Sequence, residues 1–118
     1  MKIYAFAALA LLAPVAAYAQ DATAGKAVFT QCTACHAYKA GAVGVAAPNL
    51  YGVVGRKAAS TQFAYSSALK ASKLTWDPAT LNTFLKAPSK LVPGTRMVIA
   101  VANDTQRANL VAYLATLK

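Results

Sequence analysis

Residues 32–36 read Cys-Thr-Ala-Cys-His, and this stretch holds both cysteines and the one histidine of the chain. The residues before it are helical in pattern, because apolar side chains recur at three- to four-residue spacing between Ala24 and Cys32. At the end of a helix, side chains at positions i and i+3 lie on one face. The spacing therefore predicts that the thiols of Cys32 and Cys35 point the same way, with the imidazole of His36 directly after them.

A C-x-x-C-H sequence suits one kind of chemistry in particular. Its two thiols can add to the two vinyl groups of one porphyrin, and its imidazole can then bind the iron as an axial ligand. We therefore expect one haem c, covalently attached through Cys32 and Cys35, with His36 on the iron. One alternative is a redox dithiol or small disulfide, which lacks its usual βαβ surroundings here. The other is a zinc site, for which these three are the only soft ligands.

Met97 is the candidate for the second axial ligand of the iron. Apart from the initiator it is the only methionine, and it ends the sequence Pro-Gly-Thr-Arg-Met at residues 93–97. Haem iron takes a His/Met ligand pair in electron carriers. The alternative is that Met97 only packs against the core, as most methionines do. The haem motif upstream and the Pro-Gly turn beside the sulfur favour ligation by Met97.

The charge balance and the residue counts exclude several classes of protein. The 118 residues contain 12 Lys and Arg but only 3 Asp and Glu, which gives a formal charge of +9. A single histidine excludes sites that need two imidazoles, and so few carboxylates argue against paired-carboxylate catalysis. The basic residues are scattered singly, so we expect no nucleic-acid binding. The excess of positive charge instead predicts acidic partners.

The N-terminal residues 1–19 read as a targeting segment. Lys2 is followed by an apolar run, and residues 17–19 form an Ala-x-Ala cleavage signal. The run is short for a membrane-spanning helix and is broken by Pro14. We therefore expect a cleaved secretory signal peptide at residues 1–19 and a single domain at residues 20–118, located in the periplasm. The alternative is an uncleaved membrane anchor.

The remaining chain predicts an all-α domain with about four helices and two long loops. Asp-Pro at residues 77–78 is a typical helix start, because Asp caps the helix and Pro occupies its first turn. A fold of this kind has a thin core, so we expect it to surround a bulky apolar cofactor. The predicted helices lie at residues 21–37, 66–72, 77–87 and 103–117, and the predicted loops at 38–62 and 88–102.

The chain from about Ala24 to Lys118 resembles the class I c-type cytochromes in collinear order. The resemblance implies the cytochrome c fold around one covalent haem, ligation by His36 and Met97, and one-electron transfer without catalysis. It also implies that Gly25 lets the first and last helices approach closely. The matching residues are Gly25, Phe29, 32–36, 48–52, 54–57, 63–66, 75–76, Pro88, 93–97 and 110–114.

The resemblance also assigns roles to four residues outside the two sequences around the iron ligands. Pro48 matches the proline whose carbonyl accepts the Nδ1 proton of the ligand histidine. Arg56, Tyr65 and Trp76 match residues that hydrogen-bond a buried haem propionate, which is costly to bury unpaired. Without the resemblance, these residues would be interpreted as a rigid loop, a surface charge and core packing.

The function implied is that of a soluble periplasmic electron carrier rather than an enzyme. Its donor would be a bc-type complex or a periplasmic dehydrogenase, and its acceptor a terminal oxidase or similar protein. We expect a monomer that docks transiently on acidic redox proteins and does not stay in a membrane once the signal is removed. Lys26, Lys90 and Arg96 are expected near the haem edge. The alternatives are a haem enzyme or ligand sensor with an open iron site, and an electron-transfer subunit of a dehydrogenase complex.

Overall fold

The structure is a computed structural model that describes residues 20–118. The expected signal peptide at residues 1–19 lies outside the described residues. Within the described part, the only β-structure is an isolated antiparallel bridge between Lys57 and Thr75, which confirms the all-α prediction. In chain order the elements are α1 (Ala22–Phe29), a 3₁₀ helix (Thr30–Ala34), α2 (Ser67–Ser72), α3 (Pro78–Lys86), α4 (Pro88–Leu91) and α5 (Asp104–Leu114).

The first predicted helix is two elements rather than one. Asp21 caps α1 by accepting hydrogen bonds from the backbone N–H groups of Thr23 and Ala24. At Thr30 the backbone N–H bonds three residues back to Ala27, and the chain tightens into the 3₁₀ helix. The Thr33 hydroxyl donates to the Thr30 carbonyl at 2.7 Å. Threonine hydroxyls compete in this way for helix carbonyls, and this competition disfavours the continuous helix that apolar spacing predicts.

The crossing of α1 and α5 depends on a glycine. A Cβ atom at Gly25 would overlap the carbonyl oxygen of Asn109 and would lie 2.9 Å from the Cβ of Tyr113. Next to this contact, the rings of Phe29 and Tyr113 pack with their centroids 5.0 Å apart. The first and last helices therefore approach at backbone distance, as the sequence resemblance implies.

The helix α4 lies in a region predicted to be a loop. Asp77 caps α3 by accepting a hydrogen bond from the Thr80 N–H at 2.8 Å. This helix ends at Lys86 because the residue before a proline is pushed out of the helical region, and Ala87 is accordingly extended at φ −157° and ψ 83°. Pro88 then occupies the first turn of α4, where no N–H donor is needed. Pro88 therefore ends one helix and begins the next.

The buried core joins residues from α1, α3 and α5 with residues from the loops. Among residues 20–118, no helix has the length and apolar character that crossing a membrane requires. Most of the core side chains also line one cavity, which positions the site described below. The core consists of Phe29, Val53, Trp76, Leu81, Phe84, Leu85, Val92, Val101, Leu110, Val111 and Leu114.

Candidate functional site

The predicted site residues surround one cavity of about 300 Å³. This volume is at the lower end of the range for small-molecule sites, roughly 300–1,000 Å³. The 3₁₀ helix, the loop before α2, the helices α3 and α5 and the segment after α4 all contribute to its wall. All eight residues singled out from the sequence line it: Cys32, Cys35, His36, Pro48, Arg56, Tyr65, Trp76 and Met97.

The 3₁₀ helix presents the two cysteines to this cavity. Cys32 lies within it, and Cys35 follows at its C-terminal end with its N–H bonded to the Cys32 carbonyl at 3.2 Å. Residues i and i+3 lie directly above one another in 3₁₀ geometry, so both thiols share one side. Burial, and to a lesser extent Cys35, raises the pKa of the Cys32 thiol above its usual value. Both sulfurs are free of disulfide bonding.

His36 is held by a hydrogen bond from its ring to the backbone. Its Nδ1 lies 2.7 Å from the Pro48 carbonyl oxygen. A carbonyl can only accept, so Nδ1 carries a proton, and in the neutral ring Nε2 then keeps its lone pair. Burial is the main cause that lowers the pKa of His36, and the charge of Arg56 lowers it further, whereas the bond to Pro48 opposes them. The lowered pKa favours the neutral imidazole at neutral pH, and in that form one ring nitrogen is able to bind a metal.

Met97 reaches the same cavity from the segment after α4. A turn precedes it: Pro93 and Gly94 occupy its centre, Gly94 has φ +89°, and the Thr95 N–H bonds to the Val92 carbonyl at 3.0 Å. Proline followed by a residue with positive φ is the pattern of a type II turn, which suits glycine. Met97 is half-buried and packs against the core. The structure thus brings its thioether and the His36 imidazole to one cavity.

Arg56 is half-buried and ties the loop before it to the cavity wall. Its Nη2 donates to the Asn49 carbonyl at 3.0 Å, and its Nη1 donates to the Tyr51 carbonyl at 3.2 Å. Burial lowers the pKa of Arg56, with Tyr65 opposing, but a guanidinium in a protein keeps its proton. The Tyr65 hydroxyl is hydrogen-bonded to Thr61. The contact of these side chains with a propionate stays a prediction.

Trp76 belongs to the apolar wall of the cavity. It is buried, and its ring packs on Phe84 with centroids 4.9 Å apart. Its backbone N–H donates to the Arg56 carbonyl at 2.8 Å, so two of the three predicted propionate-binding residues are directly linked. Leu81 and Leu110 continue the same wall. The wall is therefore largely hydrocarbon, with its polar groups confined to a few positions.

The residues present fit a haem group. The apolar wall suits the faces of a porphyrin, the two thiols suit its vinyl groups, and Arg56 supplies a cation for a carboxylate. His36 Nε2 and the Met97 sulfur are both suitable ligands for haem iron. Both the ligand atoms and the apolar wall of the cavity therefore agree with the haem c that the C-x-x-C-H motif predicts.

Asn49 has a role at the site that sequence reasoning did not identify. Its side-chain NH₂ donates to the carbonyls of Lys39 and Ala42, both at 2.8 Å, and its Oδ1 accepts from the Tyr51 N–H at 3.0 Å. It thereby fixes the loop that supplies the Pro48 carbonyl. The signal available in the sequence was an asparagine after a proline in a glycine-rich loop, where its amide can replace missing backbone partners.

Comparison with known proteins gives a family for the whole described domain. A family model described as Cytochrome c matches residues 22–118. The chain belongs to the cytochrome c family. Members bind haem c covalently through a cysteine pair and are electron carriers rather than enzymes. Cys32 and Cys35 are the two cysteines of this chain, so the expectation of covalent haem c is confirmed.

Individual cytochromes match over most of their length. Cytochrome c of Tetrahymena pyriformis is 51% identical over 96 residues, which covers 80% of this chain and 86% of that protein. Cytochrome c2 of Rhodoblastus acidophilus is 46% identical over 102 residues, covering 85% and 95% respectively. The solved structure of cytochrome cH from Methylobacterium extorquens superimposes with a TM-score of 0.73 at 44% identity, covering 81% of this chain and 98% of that one.

Proposed function

We propose that this cytochrome is a one-electron carrier whose haem iron is six-coordinate, with His36 Nε2 and the Met97 sulfur as axial ligands. The observation that carries the proposal is that both side chains line one cavity, while Nδ1 of His36 is already bonded to Pro48. When bound, the haem supplies a one-electron change at its iron.

The protein's residues adapt this chemistry to transfer rather than catalysis. The bond to Pro48 orients the imidazole and strengthens it as a donor, and Met97 fills the position that a substrate would need. His36 is the only histidine in the chain, so once it binds iron no other imidazole can act as an acid or base. The apolar wall keeps water from the macrocycle and lowers the dielectric constant around it.

We also propose a location and a class of partners. The leader expected at residues 1–19 supports export to the periplasm, and removing Lys2 with it leaves a formal charge of +8. A monomer with this charge would dock transiently on acidic redox proteins. Its donor would be a bc-type complex or a periplasmic dehydrogenase, and its acceptor a terminal oxidase. Arg96 lines the cavity and is exposed, which supports docking at that edge.

Absorption spectra of the purified holoprotein test the ligand pair. We expect low-spin iron in both oxidation states and no ready binding of carbon monoxide. Met97→Ala should keep the haem, lose the iron–sulfur charge-transfer band, bind carbon monoxide and have a lower reduction potential. Val45→Ala is the matched control, because Val45 is an apolar residue that is 88% exposed and does not line the cavity. A wild-type protein that binds carbon monoxide readily would instead have an open iron site.

A further inference from the structure

Arg107 is the one buried polar or charged residue in the part of the chain that the structure describes, with 3% of its surface exposed. It lies in α5, and the proposed electron transfer gives it no role. Its Nε donates to Asn82 Oδ1 at 2.8 Å, and its Nη1 donates to the carbonyls of Val101 at 2.9 Å and Ala102 at 3.2 Å. Its Nη2 pairs with Asp104 at 2.6 Å. A buried guanidinium is costly unless all these partners are present.

Two of these acceptors belong to the stretch that carries Met97, which we call the methionine segment (residues 97–102). Its C-terminal end is fixed, because Val101 is 6% exposed and its N–H donates to the Leu85 carbonyl at 2.8 Å. Arg107 binds the same end through the two carbonyls. One side chain of α5 therefore connects the end of the methionine segment to Asn82 of α3.

The middle of the methionine segment has little to hold it. Among the described residues, no backbone hydrogen bond involves residues 97–100. Val98 and Ile99 are 70% and 54% exposed. The N-terminal side is tied by Arg96, whose Nη1 donates to the Ala64 carbonyl at 2.7 Å. A stretch with few buried contacts that is fixed only at its ends opens locally when an end is released.

We propose that Arg107 is a positioning residue that clamps the methionine segment and so sets how often Met97 leaves the cavity. The proposal rests on the ligation of iron by Met97 proposed above. The guanidinium suits this role because its fixed fork points to α3, to the segment and to Asp104 at once, which a lysine ammonium on a flexible stem does not reproduce. The Asp104 side chain is 83% exposed, so the bonds to Asn82 and to the two carbonyls are the inner part of the clamp.

The rate of imidazole binding to the ferric holoprotein measures this opening. At saturating imidazole the observed rate approaches the rate at which Met97 leaves the iron. We expect Arg107→Gln to raise this limiting rate about tenfold or more, since it loses several hydrogen bonds that hold the segment. Asn82→Ala should raise it by a smaller factor, because one bond of the clamp is removed and the cation stays.

Val111→Ala is the control for general loss of stability. Val111 is a buried residue of α5 that does not line the cavity, so its truncation weakens the core without removing a hydrogen bond of the clamp. We expect its limiting rate to stay within about twofold of wild type after its shift in guanidinium unfolding midpoint is measured. Equal rates for clamp and control variants at matched stability would overturn the proposal. If Arg107→Gln does not yield holoprotein, an Asn82→Ala rate equal to wild type overturns it.

The same measurement separates this proposal from the ligand assignment. If wild-type protein binds imidazole without saturation and Met97→Ala binds it equally fast, Met97 is not a ligand and the proposed function fails. If wild type saturates, Met97→Ala is fast and the clamp variants match wild type, only the role of Arg107 is wrong.

Discussion

At the residue scale, Arg56 has one role that its contacts show and a second role that the family resemblance implies. The guanidinium holds the carbonyls of Asn49 and Tyr51, and this bonding needs its fork of donors. Pairing with a haem propionate, which the family resemblance implies, needs only its charge. The two roles can be separated, because Arg56→Lys keeps the charge and loses the fork.

We expect Arg56→Leu to lose both roles and Arg56→Lys to lose one. Both variants should be less stable by about 1–2 kcal/mol, since neither substitute can donate to both carbonyls as the guanidinium fork does. Only Arg56→Leu should show a reduction potential that falls as pH rises through the neutral range. Without the cation the pKa of the propionate is higher, and it is highest when the iron is reduced, so reduction then takes up a proton.

Redox titration of the three proteins at several pH values checks this, with chemical denaturation as the stability measurement. A potential for Arg56→Leu with the same pH dependence as wild type would restrict Arg56 to the structural role. The same slope in Arg56→Lys and Arg56→Leu would mean that bonding geometry, rather than charge, keeps the propionate ionised.

Local chemistry explains which of these residues could be predicted from the sequence. Cys32, Cys35 and His36 lie within five consecutive residues, so their chemistry can be predicted without knowledge of the fold. The burial of Arg107 is a tertiary property: its partners Asn82 and Val101 come from α3 and the methionine segment. In the sequence it is one of 12 scattered cations, and no pattern distinguishes it from those on the surface.

At the scale of elements, the α1–α5 crossing has no room for a side chain at Gly25. We expect Gly25→Ala to destabilise the holoprotein by about 3 kcal/mol, because the added Cβ overlaps the Asn109 carbonyl and forces the helices apart. Ala24→Gly is the control in the same helix, at an exposed position. It should cost only about 0.5–1 kcal/mol in helix propensity.

Guanidinium unfolding of the two variants compares these costs. Equal destabilisation by the two substitutions would show that the crossing adapts and that close approach at Gly25 is not required. A larger effect of Gly25→Ala together with an unchanged haem spectrum would place the damage at the helix crossing rather than at the iron.

The positions at which helices begin and end depend on effects that the spacing of apolar residues does not reveal. The cap at Asp77 could be predicted because it is side-chain chemistry next to the helix start. The 3₁₀ helix and α4 were missed, since spacing alone cannot distinguish a tightened turn from an α-helix. Pro88 is compatible both with a stop and with a start, and only the extended backbone at Ala87 shows that it is both.

At the scale of the whole molecule, the core and the cofactor site are the same region. Leu81, Leu85, Leu110 and Leu114 are core residues and also line the cavity. The apolar area that stabilises the fold is therefore partly completed by whatever occupies the cavity. This is the physical reason for the thin core inferred from the sequence, and it couples stability to cofactor attachment.

The net charge is a property of the whole surface, and it gives a prediction about docking. The full chain carries a formal +9, and removal of Lys2 with the proposed leader would leave +8. Arg96 is exposed at the cavity, and Lys90 is exposed in the last turn of α4. Lys118 is exposed at the end of the chain, beyond α5. The positive electrostatic field of these charges speeds encounter with an acidic partner and does not lengthen the lifetime of the complex.

We expect the bimolecular electron-transfer rate with an acidic partner to fall steeply as salt rises, since the Debye length is only about 10 Å near 0.1 M. Charge reversal of Lys90 and Arg96 should slow the reaction more than charge reversal of Lys118. Double reversal of Lys118 and Lys57, the latter exposed and absent from the cavity wall, matches the change in net charge and controls for it. Stopped-flow rates against ionic strength measure all three proteins. A rate that does not change with salt would show that docking is apolar and uses exposed residues such as Val98 and Ile99. Equal slowing by both double reversals would show that the net charge of the protein, rather than one docking edge, governs encounter.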